Sequence, residues 1–554
     1  MPPDLSAAPF HLDAAARDWV AATLARLTPD QKLRQLFNLR LAGSDPAALA
    51  LAAAFGPGGV TRHLGADAEA ERGIIAGLNA SAATPLLVSA DLEGSRMSLP
   101  FGLEVPNPLA LAAADDVAAT EEIARLMARE AKSVGINWTL TPVLDINAAF
   151  RSAIVATRGF GSDVALIERH MLATLRGFQA EGVAATLKHW PGEGYDDRDQ
   201  HLVTTINPLA GADWDASFGR LYRSGIGAGA MSVMSAHIAL PDYLRGKGVA
   251  EGVELYRPAS VSRHLNEGLL RGDLGFQGLI VSDATSMAGL GSWSKRSEHL
   301  PELVTAGCDV ILFSDNPDRD LGYLNAALAD GRLTAARVDE AVTRQLALKA
   351  ALGLQLPGRM SAHVPTAADR ALVDRATRAA PTLVKDVQGL LPLSVGKHRR
   401  VLVLTPGIVF PFQNDPLPFA LPDMLRAEGF EVTLHDPAQP FATGPVTADR
   451  FDLVLYLFGD ETLLTRGRIF LDWRVLTGHF GLAMQRHWHE VPTLMVSFGY
   501  PYLLYDAPRM PTVVNAYCTM DSMQRAVCDL LLGRGDWRGV SPVDAFCGLE
   551  DAKF

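Results

Sequence analysis

Cysteine is scarce in this sequence: Cys308, Cys518, Cys528 and Cys547 are the four it has in 554 residues. They form no C-x-x-C pair and show no His/Cys metal spacing, which argues against a cysteine-built metal site. No apolar run is long enough to span a bilayer. The opening stretch, MPPDLSAAPFHLDAAARDWV, has no basic segment leading into an apolar one, so it does not read as a secretory signal. A cytoplasmic protein with reduced thiols is the expectation. Positive charge is also in short supply. Lys and Arg number 50 against 62 Asp and Glu, a formal net charge of −12. A nucleic-acid or anionic-membrane surface needs a basic patch, and none is visible. The acidity reads as solubility. Internal repeats and low-complexity segments are absent too.

What is present is ample apolar material, 48% of residues against 20% charged, in a chain too long for one ordinary core. The first two thirds alternate apolar runs with amphipathic stretches. The runs are PLLVSA (85–90), INWTLTPVL (136–144), VAATLK (183–188), AMSVMSA (230–236), GLIVS (278–282) and DVILFS (309–314). Helical patterns lie between them, as at 119–135 and 165–182. This alternation predicts βα units around a buried parallel sheet. Each run ends in a polar residue: Asp91, Asp145, Lys188 with His189, His237, Asp283 and Asp315. Six such ends in succession favour a closed (β/α)8-type TIM barrel, where every strand's C-terminal end faces one mouth. Six clear strands are fewer than eight, so either weaker strands lie early in the chain or the barrel is irregular. The helix at 333–354 closes the barrel, and 355–370 carries linker punctuation. A second α/β pattern begins near 400, with strands at 400–406, 431–435, 452–458, 493–499 and 512–517. The expected organisation is a barrel over 1–354, a linker and lead-in helix over 355–395, and a smaller α/β/α sandwich over 396–554.

Two segments carry the chemistry. LKHWPGEGYDDRDQH (187–201) follows a strand and concentrates glycine, proline and ionisable groups, the make-up of a working barrel loop. Lys188 and His189 stand where the strand meets the mouth, suited to hydrogen-bonding the hydroxyls of a polar ligand. Asp199 and His201 lie two apart. An aspartate beside an imidazole raises its pKa and fixes its tautomer, giving a proton donor usable near neutral pH. On spacing alone, a solvated surface pair is the better reading. In GFQGLIVSDATSMAG (275–289) an apolar strand delivers Asp283 to the mouth. A lone carboxylate there fits a nucleophile, a metal ligand or a buried helix cap.

Taken together these segments resemble glycoside hydrolase family 3. GLIVSDATSMAG is similar to that family's nucleophile motif, and KHWPGEGYDDRDQH to the loop K-H-F-P-G-H-G-D-x-x-x-D-S-H of its β-N-acetylglucosaminidase branch. SADLEGSRMSLPFG (89–102), INWTLTPVLDIN with TRGFGSD (136–163), MSAHIALPD (234–242), AGCDVILFSDNPD (306–318) and PTLVKDVQGLLPL (381–393) follow in the family's order. The resemblance implies Asp283 as nucleophile and His201 as general acid/base, held by Asp199. It implies Asp91, Arg158, Lys188 and His189 as ligands of the non-reducing sugar. The D-x-H pair points to the aminosugar branch, because the family's β-glucosidases usually take the acid from a second-domain glutamate. The implied function is a retaining exo-β-glycosidase, specifically a β-N-acetylhexosaminidase acting on a small carbohydrate, needing neither metal nor organic cofactor. The alternatives are a β-N-acetylglucosaminide phosphorylase, a β-glucosidase and a non-catalytic sugar-binding homologue. A loop-borne acid can swing, so a long separation from Asp283 is expected in the empty enzyme.

The sequence departs from the family pattern at Leu92 (usually Gln), Ser95 (Gly), Glu193 (His), Tyr195 (Asp), Gln200 (Ser) and Ala284 (Asp). None removes a proposed catalytic group. Glu193 is a second candidate acid. Glu461, beside Asp460, is read as a polar strand end ahead of a catalytic acid. Met231, Met234 and Met287 read as core packing, and His487 and His489 as a solvated helix end.

Overall fold

Short parallel strands ring the first core in the computed structural model, which describes residues 3–356, 358, 363–410, 415–461 and 463–554. They are β1 (Phe37–Ala42), β2 (Gly59–His63), β3 (Leu87–Ala90), β4 (Trp138–Thr139), β5 (Thr186–Trp190), β6 (Ser232–Ser235), β7 (Leu279–Ala284) and β8 (Val310–Leu312). Hydrogen bonding runs β4-β3-β2-β1-β8-β7-β6-β5. Parallel bridges from Trp138 to Ala184 and from Val143 to Lys188 close the ring. This is the expected TIM barrel with eight strands, and the two weak early strands are β1 and β2.

Those two lack a clean apolar run because their inward faces are polar. Thr61 bonds Asn38 Oδ1 (2.8 Å) and Ser89 Oγ (2.6 Å) inside the barrel. A second buried layer joins Trp138 Nε1 to Thr186 Oγ1 (2.8 Å) and Ser232 Oγ (2.9 Å). Buried polar atoms are tolerated where they satisfy one another. The helices between strands follow their patterns. Val117–Val134 starts on Asp116, whose side chain accepts from Ala119 N, and ends at Gly135 with φ of 100°. It packs against Val164–Ala180, and Ala335–Ala351 packs against Ala14–Arg26.

The second sheet contains β9 (Thr382–Asp386), β10 (Arg400–Leu404), β11 (Ile408–Val409), β12 (Glu431–Leu434), β13 (Leu453–Asp460), β14 (Thr493–Ser497) and β15 (Thr512–Asn515). Its order is β9-β15-β14-β13-β10-β12, with β11 paired to β13; β9 is antiparallel to β15 and the other pairs are parallel. Strand β9 falls within the stretch expected to be linker and lead-in helix. Its run TLVKD is half polar, and its place in the sheet comes from pairing with β15. Of the punctuated segment 355–370, residues 357 and 359–362 lie outside the described residues. The barrel lends Leu109, Ala110, Ala113, Ala153 and Ala156 to the apolar core of this second unit. That shared core seats the second unit beside the barrel mouth. No described helix is long and apolar enough to cross a membrane.

Candidate active site

Strand β7 is buried as far as Asp283 and carries that residue to the mouth, where it is 9% exposed. Its Oδ1 accepts the Ala284 N–H at 2.7 Å. Burial pushes the carboxyl up, but His189, His237, His201 and the Ala284 amide outweigh it, and the group lies below the ordinary aspartate range. Asp283 is therefore an ionised carboxylate at neutral pH. His237 is fully buried and donates from Nε2 to the Ala284 carbonyl (3.0 Å), which leaves Nδ1 to accept from Ser260 (2.9 Å). Burial lowers its pKa, consistent with a neutral ring.

The loop after β5 brings the second group. His201 Nδ1 donates to Asp199 Oδ1 at 2.7 Å, and the His201 amide donates to the same oxygen at 2.8 Å. Asp199 is 1% exposed; its other oxygen accepts the Thr465 amide of the second unit at 2.8 Å. Burial pushes the Asp199 carboxyl up, but the His201 contact prevails and lowers it. This arrangement fixes the tautomer and leaves Nε2 of His201 to exchange protons.

A third group forms the floor of the site. Glu93, 4% exposed, accepts Arg158 Nε on one oxygen (2.9 Å). The other takes the Arg158 terminal nitrogen (2.9 Å) and Lys188 Nζ (2.7 Å). Lys188 also meets Asp91 at 3.1 Å. Burial opposes ionisation of Glu93, yet the two cations drive its pKa far down, and both cations are stabilised in return. His189 donates from Nδ1 to Asp145 (2.5 Å), and its Nε2 lies 3.3 Å from Arg158.

Six of these residues border one cavity of about 380 Å³. Asp91, Arg158, Lys188, His189, His201 and Asp283 all line it, so the structure brings together every predicted site residue except Asp199, which stands behind His201. Arg40, His63 and Phe313 complete the polar and aromatic wall. Met97, Met234 and Met287 line it as well, so two of the methionines read as core are cavity wall while still buried. Among the described residues, Asp145, His189 and Glu193 place possible metal-ligating atoms within 4.8 Å of one another. Those atoms are already engaged in hydrogen bonds with each other and with Gln200.

Comparison with known proteins gives the family. Residues 31–348 match the model for the glycosyl hydrolase family 3 N-terminal domain. The chain belongs to glycosyl hydrolase family 3. It is 40% identical over 571 aligned residues to a β-N-acetylglucosaminidase/β-glucosidase of Cellulomonas fimi, covering 99% of each. A β-hexosaminidase of Stenotrophomonas maltophilia is 35% identical over 43% of this chain and 69% of its own. Among solved structures, the β-glucoside phosphorylase BglX superposes with a TM-score of 0.90, at 33% identity over 99% of each chain. A family 3 β-N-acetylglucosaminidase from Paenibacillus gives 0.81 at 27% identity, over 94% of this chain and 100% of its own.

Within this family 3 frame, Ala284 borders the cavity and the other departures stand back from it. Leu92 is buried in the barrel core, and Tyr195 packs edge-on to Phe218. Glu193 is 2% exposed and does not border the cavity; its oxygens take Gln200 (2.9 Å) and Thr205 (3.3 Å). Glu461 is neither a plain strand end nor a cavity acid. It is a buried brace between the units, accepting from Ser95 (3.0 Å), Asn107 (3.0 Å), and both the amide and hydroxyl of Thr519. His487 and His489 follow the helix Phe480–Ala483 and border two different surface clefts. Sequence reasoning missed Glu93 and Thr465. Asp91 and Glu93 stand two apart in DLEGSR, which was the available signal for Glu93. Thr465 acts through its backbone, which no side-chain pattern reports.

Proposed function

We propose that this chain is a retaining exo-β-glycosidase that releases a terminal β-linked N-acetylglucosamine from a small carbohydrate. The observation that carries the reading is the meeting of Asp283 and the His201–Asp199 dyad on a single cavity. The names of the Cellulomonas and Paenibacillus relatives support the sugar. In the first step the Asp283 carboxylate bonds to the anomeric carbon as the glycosidic C–O bond breaks. His201 gives its proton to the departing oxygen. In the second, water adds to the anomeric carbon, the ester to Asp283 breaks, and His201 takes the proton back. Asp199 stabilises the imidazolium that enters the first step and is restored by the second. Asp91, Arg158, Lys188 and His189 hold the sugar hydroxyls, with Glu93 fixing the two cations.

A second reading has its own support. Similarity to a β-glucoside phosphorylase extends over 99% of the chain. A neutral imidazole repels phosphate less than a carboxylate does, and Arg40 borders the cavity. Phosphate would then replace water in the second step. Both readings are tested with nitrophenyl β-glycosides of N-acetylglucosamine and glucose, with and without phosphate, using Asp283→Ala as the blank. Phosphate-independent release from the aminosugar, lost in the variant, is the expected result. A phosphate requirement would move the assignment to the phosphorylase. Preference for the glucoside would overturn the sugar, and undiminished turnover by the variant would overturn the nucleophile.

A further inference from the structure

Two departures from the family pattern meet in this structure. Gln200 stands between the dyad residues, and its fully buried side chain turns inward, away from the cavity. Its Nε2 donates to Glu193 Oε2 at 2.9 Å, and its Oε1 accepts the His237 amide at 3.1 Å. The Glu193 amide in turn donates to Asp145 Oδ1 (2.9 Å), on the carboxylate that orients His189. Gln200 is thus tied to a frame built at the ends of β4, β5 and β6. On either side of it, Asp199 takes the Thr465 amide and the His201 carbonyl takes the Ala288 amide (3.0 Å).

We propose that Glu193 and Gln200 are a positioning couple that pins the acid–base loop in its working place beside Asp283. The proposal rests on the reading of His201 as acid/base. A neutral Glu193 completes it: the carbonyl oxygen accepts from Gln200, and the hydroxyl can give its proton to Thr205, since a threonine hydroxyl accepts as well as donates. Burial among Asp145, Asp199 and Asp283 favours that neutral form. Glutamine at 193 would reproduce both contacts; alanine would lose them.

Leaving-group dependence provides the test, because a poor leaving group needs the acid's proton and a dinitrophenolate does not. Glu193→Ala, Gln200→Ala and Gln200→Ser are compared with His201→Ala on a β-linked N-acetylglucosamine disaccharide and on the dinitrophenyl glycoside. Serine is the family's usual residue at 200, which makes that variant the milder one. The three are expected to lose about 10- to 100-fold in kcat/KM on the disaccharide and at most about 3-fold on the dinitrophenyl glycoside, with Glu193→Gln close to the parent. Equal losses on both substrates, no loss on either, or failure of Glu193→Gln to recover would overturn the couple while His201→Ala still discriminates. A His201→Ala enzyme that does not discriminate would overturn the reading of His201 itself.

Discussion

At the floor of the barrel Asp309 receives Arg271 (2.7 Å), Arg337 (2.8 Å) and Arg344 (3.6 Å); at the mouth Glu93 receives Arg158 and Lys188. Both carboxylates are buried and both are held in the charged form by their cations against the cost of burial. The difference lies in what remains. None of the floor groups borders the reaction cavity, and neither does Lys349, which bonds Gln35 and Thr84. At the mouth, Glu93 absorbs two cations while Asp91, His189, His201 and Asp283 still face open space. A buried ion network thus marks a site only where part of it is left over for a ligand.

The largest effect should come from the floor. Asp309→Asn removes the carboxylate that Arg271, Arg337 and Arg344 share, leaving Arg344 its Glu340 partner (2.7 Å), and is expected to cost about 3–5 kcal/mol in denaturant unfolding. Turnover per folded molecule should hold, because none of these groups borders the cavity. A large loss of kcat without unfolding would erase the contrast between the two ends. A smaller effect concerns pH. The folded Glu93 pKa lies below its unfolded value, so its stabilisation is present above about pH 4.3 and lost as pH falls below it. Acid unfolding curves of Glu93→Gln should be flatter below that pH, by up to about 1.4 kcal/mol per unit. Parallel curves would mean that Glu93 is not held ionised by its cations. The smallest effect belongs to the rim. Asp315 lies three residues past β8, with its side chain 66% exposed and only loosely paired with Arg40 (3.5 Å). Asp315→Asn should shift stability by no more than about 0.5 kcal/mol.

That last residue also shows where sequence reading stops. A polar residue after an apolar run locates the mouth of a barrel, and it did so for Asp91, Asp145, Lys188, His189, His237, Asp283 and Asp315 alike. Only packing separates them: Asp283 borders the cavity, Asp145 stands behind His189, and Asp315 faces solvent. Strands β1 and β2 were not legible as apolar runs because Asn38 and Thr61 satisfy one another inside the barrel. The dyad was legible through family resemblance, since its spacing alone favoured a solvated surface pair. Its support was not, since Thr465 comes from a part of the chain far off in sequence and offers only a backbone amide. Glu193 looked like an acid because its loop is catalytic in character; its burial shows that residue type and loop membership do not place a side chain in a site.

The central claim is that Asp283 forms a covalent bond to the sugar. It is tested most directly by incubating the enzyme with a 5-fluoro glycosyl fluoride of N-acetylglucosamine, then measuring intact mass and mapping the labelled peptide. The account predicts one sugar per chain, on Asp283, with turnover lost in step with labelling. A label on Asp91 or Glu193, or an enzyme that turns over with inverted anomeric configuration and no label, would contradict it.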